Sequence, residues 1–117
     1  MDEKDLTAGE SGWVEKVGYA TRMMADSEAL SSPGTQIELV RFGKGKYKHY
    51  HKQKTEAFYF IGGSGRAVID GEERSIQVGS FVLMKPGVVH EWINDFDEPL
   101  EAVMVKTNNS LDDTFTE

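Results

Sequence analysis

The chain has 117 residues, the size of a single domain, and it is acidic, with a net charge of −7. The negative charge disfavours nucleic acid and anionic membrane surfaces as partners, and no apolar segment is long enough to cross a membrane. The absence of cysteine excludes disulfide frameworks, zinc fingers, iron–sulfur clusters and cysteine nucleophiles. Because the acidic start of the chain, Met1 to Asp5, has no apolar signal segment, we expect a cytoplasmic protein.

The composition along the chain predicts one domain between two polar ends. Residues 1–12 are polar and include two glycines, and we expect a flexible arm there. Residues 108–117 are also polar and predict a frayed tail, which leaves a domain at residues 13–107. Within this domain, short apolar and β-branched segments alternate with Gly, Pro, Asn and Asp, a pattern typical of an all-β protein.

The predicted elements are short strands at close spacing. In chain order they are residues 14–20, 35–42, 47–51, 56–61, 65–70, 73–77, 80–84, 90–94 and 100–107. Only residues 21–30 offer a weak helical alternative. The dipeptide Asp70-Gly71 predicts a two-residue hairpin, because such a turn needs positive φ at both central residues. Short strands in this arrangement favour an antiparallel sandwich or barrel.

The predicted strand at residues 35–42 has apolar residues on both faces. Ile37 and Leu39 follow one alternation, whereas Val40 and Phe42 follow the other. A β-bulge would reconcile the two patterns, and so would a strand covered on both faces. The second alternative requires a partner, and it predicts a homodimer. Arg41 would then point inward or lie in the interface.

The three histidines of the chain are His49, His51 and His90. His49 and His51 are two residues apart, so on a strand their rings point to the same face. If the next strand pairs with theirs as a hairpin, Glu56 lies near both rings. Imidazoles and a carboxylate on one face are a ligand set for a divalent transition metal. Each histidine taken alone is more often a half-exposed or core residue than a metal ligand.

The spacing of these residues resembles the first motif of the cupin family. That motif has Gly, five residues, His-x-His, three or four residues, Glu, six residues and Gly. This sequence matches it with Gly43, His49, His51, Glu56 and Gly63.

The second cupin motif also has a counterpart, at Gly79, Gly87, His90 and Asn94. One position departs from the family pattern, because the motif places proline where Lys85 stands and this chain has it at Pro86. The shift affects the turn more than the ligand. The resemblance covers about residues 35–107.

The resemblance implies an all-β, cupin-type jelly-roll β-barrel, also called a double-stranded β-helix, with a metal inside. By analogy with the family, the metal ligands are His49, His51, Glu56 and His90. One divalent transition metal per chain is expected. Fe, Mn, Ni, Co and Zn are all compatible with this ligand set. Small cupins are often dimers, which agrees with the homodimer predicted above.

Strand alternation predicts which side chains surround the metal. Tyr47 and Gln53 share the alternation of the histidine strand, Phe58 and Phe60 that of Glu56, and Trp92 that of His90. All five are therefore candidates for the pocket lining, although the phenylalanines are more simply explained as core. Tyr47 and Glu56 are weak candidates for catalytic residues, with Glu56 as a general base the lesser alternative to Glu56 as a ligand.

Five lysines lie close together, at Lys44, Lys46, Lys48, Lys52 and Lys54. They suit either an anion-binding site or a solvated face that protects a sheet edge. Lys48 and Lys52 alternate with the histidines and should point outward, so we favour the solvated face. Lys85 and Arg66 are alternative cations for anion binding near the mouth of the barrel, and the sequence supports them no more strongly.

Three functions are compatible with these features. The first is a metal-dependent dioxygenase, isomerase, decarboxylase or lyase that acts on a small carboxylate, carbonyl or sugar-like substrate. The second is a binding module that holds a small ligand or sugar and performs no chemistry. The third is a metal that only stabilises the barrel, in which case its loss would unfold the protein. We favour the enzyme over the other two.

Overall fold

The computed structural model describes residues 12–109, which form ten β-strands and one short helix. In chain order these elements are β1 (Trp13–Glu15), β2 (Tyr19–Ala25), α1 (Ser27–Leu30), β3 (Gln36–Phe42), β4 (Gly45–His49), β5 (Thr55–Gly62), β6 (Gly65–Ile69), β7 (Glu72–Ile76), β8 (Phe81–Met84), β9 (His90–Asn94) and β10 (Leu100–Thr107). No helix among these residues is long and apolar enough to cross a membrane. The predicted arm at residues 1–12, apart from Gly12, lies outside the described residues, as does the tail beyond Asn109.

The strands form two antiparallel sheets that enclose the core between them. The six-stranded sheet has the order β1-β2-β3-β10-β5-β8, and the four-stranded sheet has the order β4-β9-β6-β7. Both sheets contribute apolar side chains to one buried cluster, with Phe42, Phe58 and Phe60 from the larger sheet and Ala67 and Trp92 from the smaller. The all-β prediction is confirmed, and its period-two alternation is what places one face of each sheet in the core.

The beginning of the domain differs from the predicted single strand at residues 14–20. A turn that includes Gly18, at a φ of 84°, separates β1 from β2, and the two strands pair with each other. β2 then runs through much of the segment that had a weak helical pattern. Helix α1 follows, and its first turn is capped by Asp26, whose side chain accepts a hydrogen bond of 2.8 Å from the Ala29 amide.

The two apolar patterns of β3 lie on opposite faces of the sheet. Glu38, Val40 and Phe42 are buried toward the core, while Ile37 and Leu39 are half-buried on the outer face. β3 itself pairs in regular register with β10, and the irregularity expected near here falls in β2, between Met23 and Ala25. The strand therefore has an apolar outer face.

The histidine strand and the Glu56 strand do not pair as the hairpin considered above. β4 belongs to the four-stranded sheet and pairs with β9, so that His49 lies opposite His90, whereas β5 belongs to the six-stranded sheet. Residues 50–54 cross from one sheet to the other, which brings Glu56 across the interior to the histidines. The turn at Asp70-Gly71 is as predicted, with φ values of 49° and 80°.

Candidate metal centre

Three buried side chains from different parts of the chain meet between the sheets. His51, Glu56 and His90 each place one potential ligand atom within 4.8 Å of the other two. The closest contact joins Nε2 of His51 to Oε1 of Glu56 at 2.9 Å. Two imidazole nitrogens and a carboxylate oxygen are donors that divalent transition metals prefer, so the residues present fit such an ion.

Backbone contacts hold the two histidines near each other. The amide of Gly87 donates a hydrogen bond of 2.6 Å to the carbonyl of His51. Gly87 belongs to the turn that begins at Lys85, in which Pro86 fixes φ and Gly87 adopts a positive φ of 84°. This turn was expected to direct His90 into the site. Through this hydrogen bond it also holds the segment that carries His51. The proline shift relative to the family motif leaves this turn intact.

The fourth predicted ligand, His49, ends β4 opposite His90. Its side chain is outside the described part of the structure, and its role as a ligand stays a prediction.

The Glu56 carboxyl is held in its ionised form. Burial by itself would raise the pKa of Glu56, but the contact with His51 and the charges of Lys54 and Lys106 outweigh it. The pKa of Glu56 is lowered to about 2 as a result. A carboxylate this acidic is a weak general base and a good anionic ligand, so the environment favours Glu56 as a metal ligand.

His90 is held in its neutral form. Burial lowers the pKa of His90 to about 4, so its ring is unprotonated near neutral pH. Nδ1 lies 3.3 Å from the carbonyl of Val88, which can only accept, and this contact places the ring proton on Nδ1. The lone pair of the neutral ring is then on Nε2, which leaves that nitrogen able to bind a metal.

A row of alternating charges extends from this centre across the inner face of the larger sheet. We call Glu38, Lys106, Glu56 and Lys54 the charged row. Nζ of Lys106 lies 2.7 Å from Oε2 of Glu38, and Nζ of Lys54 lies 3.9 Å from Oε2 of Glu56. Lys54 is only 6% exposed, which is rare for lysine and requires a nearby compensating charge.

A cavity of about 140 Å³ adjoins the charged row. Its remaining walls come from β2, β3, β5 and β10, from the turn before β2 and from the segment between β4 and β5. The residues are Lys16, Tyr19, Thr21, Val40, Phe42, His51, Phe58 and Met104. Burial, with the charges of Glu56 and Glu38, raises the pKa of the Tyr19 hydroxyl. Tyr19 therefore presents a protonated hydroxyl at the cavity wall, available as a hydrogen-bond donor.

The structure brings one of the predicted lining residues, Phe58, to the cavity wall. Phe60 and Trp92 are fully buried in the core, where Trp92 packs against Phe58 at 4.7 Å and against Phe60 at 5.4 Å between ring centroids. Phe60 and Trp92 lie in the core and not at the cavity because the inner faces of both sheets extend well beyond the cavity. Trp92 also packs against the His90 ring, with 5.7 Å between ring centroids, and so helps to fix the position of that ring.

Tyr47 and Gln53 do not line this cavity. The Tyr47 hydroxyl lies 2.7 Å from the Gly18 carbonyl and 2.8 Å from the Gly43 carbonyl, and it joins two loops. This contact is structural, and the weak catalytic role expected for Tyr47 stays a prediction. Gln53 is exposed, because β4 ends at His49 and Gln53 lies in the segment that crosses between the sheets, where the alternation of the histidine strand no longer holds.

Sequence reasoning missed the charged residues of the cavity. Lys44, Lys46, Lys48 and Lys52 are exposed, as expected for a solvated face, but Lys54 is buried. Its signal was the alternation that continues backward from Phe58 through Glu56 to Lys54. The same alternation places Glu38 with Val40 and Lys106 with Met104 on inner faces. Arg66, the alternative cation, is engaged at the surface by Asp95 and Glu73.

Comparison with known proteins agrees with this fold. The model of a protein family described as Cupin domain matches residues 37–106 of this chain. Gentisate 1,2 dioxygenase 1 from Aquipseudomonas alcaligenes is 34% identical over 64 residues, which are 55% of this chain and 18% of that protein. The chain therefore spans less than a fifth of the length of this relative.

Solved structures resemble the chain more in shape than in sequence. Ectoine synthase from P. lautus superimposes with a TM-score of 0.77 at 14% identity, covering 100% of this chain and 88% of that one. A predicted oxalate decarboxylase from Thermotoga maritima gives a TM-score of 0.69 at 19% identity, covering 78% of this chain and 81% of that one. Both likenesses bear on the fold, which is the jelly-roll barrel expected from the sequence. Since the family match covers more than half of its residues, this chain is a member of the cupin domain family.

Proposed function

We propose that the chain holds one divalent transition metal at His51, Glu56 and His90, with His49 as a fourth ligand, and acts on a small organic substrate beside it. The observation that carries this proposal is the meeting of three buried donor atoms within 4.8 Å, two of them from residues that line the cavity. Fe, Mn, Ni, Co and Zn all accept such ligands, so availability selects among them. The cytoplasmic location stays a prediction from the sequence.

The cavity has the parts that a reaction on a small molecule needs. When bound, the ion supplies Lewis-acid polarisation of a substrate oxygen or, as iron, redox chemistry with dioxygen. Val40, Phe42 and Phe58 exclude water from one wall, which strengthens electrostatic interactions inside. Tyr19 holds a proton at its hydroxyl oxygen and can donate it to a bound oxygen atom.

The named activities of the relatives support an enzyme. A dioxygenase is a curated relative, and a predicted oxalate decarboxylase shares the fold. We therefore infer that this chain is a dioxygenase, decarboxylase, isomerase or lyase. A small-ligand or sugar-binding module is the alternative function.

Metal content tests the ligand assignment. Protein purified without chelators or a nickel column should contain about one equivalent of a transition metal by elemental mass spectrometry. The double variant His49→Ala/His51→Ala should lose that metal and keep its β-rich circular dichroism. The matched control is Lys48→Ala/Lys52→Ala, which changes exposed residues of the same segment and should keep the metal. Full metal content in the histidine variant would contradict the assignment.

Chelation separates a functional metal from a structural one. Because the core cluster is apolar and buried independently of the ion, we expect the fold to survive removal of the ion by EDTA, with a lowered melting temperature. Unfolding on chelation at room temperature would favour a metal that only stabilises the barrel.

We also propose a homodimer formed through the outer face of the six-stranded sheet. Strand pairing aligns two apolar rows across β3, β10, β5 and β8 on this face, and we call these eight residues the outer patch. They are Leu39, Val103, Tyr59 and Phe81 in one row, and Ile37, Val105, Ala57 and Leu83 in the other. Tyr59, Phe81 and Leu83 are about half exposed or more. The eight residues of the outer patch carry no charge, and Arg22 and the Arg41–Glu101 ion pair lie at its border, as charged groups do at the polar rim of an interface.

Light scattering tests the dimer. The wild type at micromolar concentration should give twice the 13.1 kDa mass of the chain. Phe81→Glu should shift the protein toward the monomer, whereas Val78→Glu, at the same 62% exposure but outside the patch, should not. A wild type that scatters as a single chain would reject the dimer.

A further inference from the structure

The balance of charge around the cavity is positive once a metal is bound. The described residues that line it include two carboxylates, Glu38 and Glu56, and three ammonium groups, on Lys16, Lys54 and Lys106. Lys106 compensates Glu38 at 2.7 Å, and Lys54 approaches Glu56 at 3.9 Å. The two buried pairs are therefore neutral in sum, and Lys16 adds one positive charge at the rim.

A divalent ion at the proposed centre receives little compensation from the protein. Its carboxylate ligand, Glu56, already has its charge offset by Lys54. The other proposed ligands are histidines, which add no negative charge. Two or three positive charges would thus remain in a cavity with one largely apolar wall, although the chain as a whole carries −7. Excess charge of one sign in a poorly solvated site is costly unless a counter-charge enters with the ligand.

We propose that the cavity selects a small organic anion, a carboxylate, and that Lys54 is the residue that determines this selectivity. The inference rests on the proposed metal centre, since the ion supplies most of the excess charge. The ammonium of Lys54 stands beside the metal-ligating carboxylate at the cavity wall, so it adds attraction for an anion next to the ion. Lys16 adds a weaker, solvated attraction at the rim, and the Tyr19 hydroxyl is a donor to a carboxylate oxygen.

The size of the cavity restricts the anion. Its volume of about 140 Å³ is well below the ~300 Å³ at which pockets for drug-sized ligands begin. A carboxylate of two to five carbon atoms suits this space, whereas a phosphorylated sugar does not. The structure thus narrows the substrate class from carboxylates, carbonyls and sugars to small carboxylic acids.

Calorimetric titration with a matched pair of probes tests the proposal. Glycolate and glycolamide have the same size and differ in charge. In Zn²⁺-loaded wild type, glycolate should bind at least tenfold more tightly than glycolamide. Because a metal alone also favours a carboxylate, the deciding variant is Lys54→Met, which keeps the length of the side chain and removes its charge. It should lower the glycolate preference about tenfold, whereas the control Lys52→Met, exposed in the same loop, should leave it unchanged.

The outcomes separate this inference from the metal proposal. Zinc content, measured on the same samples, tests the metal centre, and the glycolate preference, measured with and without zinc, tests the anion site. Equal binding of the two probes, or an unchanged preference in Lys54→Met, overturns the inference even where zinc is bound. Inorganic phosphate binding in place of glycolate also overturns it. If Lys54→Met does not fold, Lys54→Gln serves instead and should also lower the preference about tenfold, with no change overturning the inference.

Discussion

The two regions of the space between the sheets are built on different principles. In the first, the rings of Phe42, Phe58, Phe60 and Trp92 pack on one another with centroids 4.7 to 6.3 Å apart, and we call this the aromatic cluster. In the second, the charged row borders a cavity. Close packing of rings is stabilising by itself, whereas each buried charge depends on its neighbours. Stability is therefore expected to come from the aromatic cluster, and ligand binding from the charged row.

Removing a single charge from the charged row should have one of the largest effects. Lys106→Met leaves the Glu38 carboxylate buried beside an apolar side chain and should cost about 3–5 kcal/mol in the free energy of unfolding. The double variant Glu38→Gln/Lys106→Met removes both charges and should recover most of that loss. Urea denaturation of the two proteins measures both values. Equal losses in the single and double variants would show that the pair is not coupled.

A truncation in the aromatic cluster should match this loss of stability without affecting the metal. Phe60 is fully buried, so Phe60→Ala should lower the free energy of unfolding by about 3–5 kcal/mol. Since Phe60 does not line the cavity, the folded variant should keep its full metal content in elemental analysis. Phe96→Ala is the control, because Phe96 is 54% exposed and its loss should change stability little. Loss of metal in folded Phe60→Ala would break the division between the two regions.

Acid should destabilise the metal-free protein through His90 and Glu56. An unfolded histidine takes up a proton near pH 6.5, whereas buried His90 does so only near pH 4. Between these values the unfolded state binds more protons, so stability falls as the pH falls from 6.5 to 4, by up to about 3 kcal/mol. Glu56 adds a second loss of stability between pH 4.5 and about 2. Its lowered pKa stabilises the fold fully above pH 4.5, and protonation removes this contribution as the pH falls to about 2.

Urea denaturation at a series of pH values measures this profile. His90→Gln should flatten it between pH 6.5 and 4 and leave the lower part in place. If the stability of His90→Gln falls equally steeply between pH 6.5 and 4, the loss of stability arises from other groups.

The smallest expected effect concerns Tyr47, which sequence alternation placed in the pocket. Tyr47→Phe removes the hydroxyl contacts to Gly18 and Gly43 and should cost about 1 kcal/mol, with metal content and glycolate binding unchanged. Tyr59→Phe, which removes an exposed hydroxyl, should cost less than about 0.5 kcal/mol. A loss of ligand affinity in Tyr47→Phe would return this residue to the site.

Local patterns predicted most strands because alternation is a local property. They also placed His51 and Glu56 on inward-facing positions, although not through a hairpin, since Glu56 lies in the six-stranded sheet and His51 in the segment that crosses to it from β4. Which strands face each other depends on the order of strands in space, and no local pattern encodes that order. The resemblance to the cupin family supplied the order of the strands, and the fold was predicted from that order.

The charged row shows the opposite case, in which a local signal was present and was outweighed. Lys54 was grouped with its exposed neighbours because lysine is seldom buried. Its alternation with Glu56 and Phe58 indicated the interior, and the carboxylate beside it makes that position tolerable. Glu38 and Lys106 compensate each other across neighbouring strands, a pairing that becomes visible only once β3 and β10 are known to be adjacent.

Diffraction at the absorption edge of the bound metal tests the central claim most directly. Crystals of protein reconstituted with Zn²⁺ should show one anomalous peak per chain, about 2.0–2.2 Å from a ring nitrogen of His51, a ring nitrogen of His90 and an oxygen of Glu56. Such a peak would establish the centre from which the cavity, the charged row and the anion site derive their proposed roles. A peak bound by other residues, or no peak after reconstitution, would contradict the account.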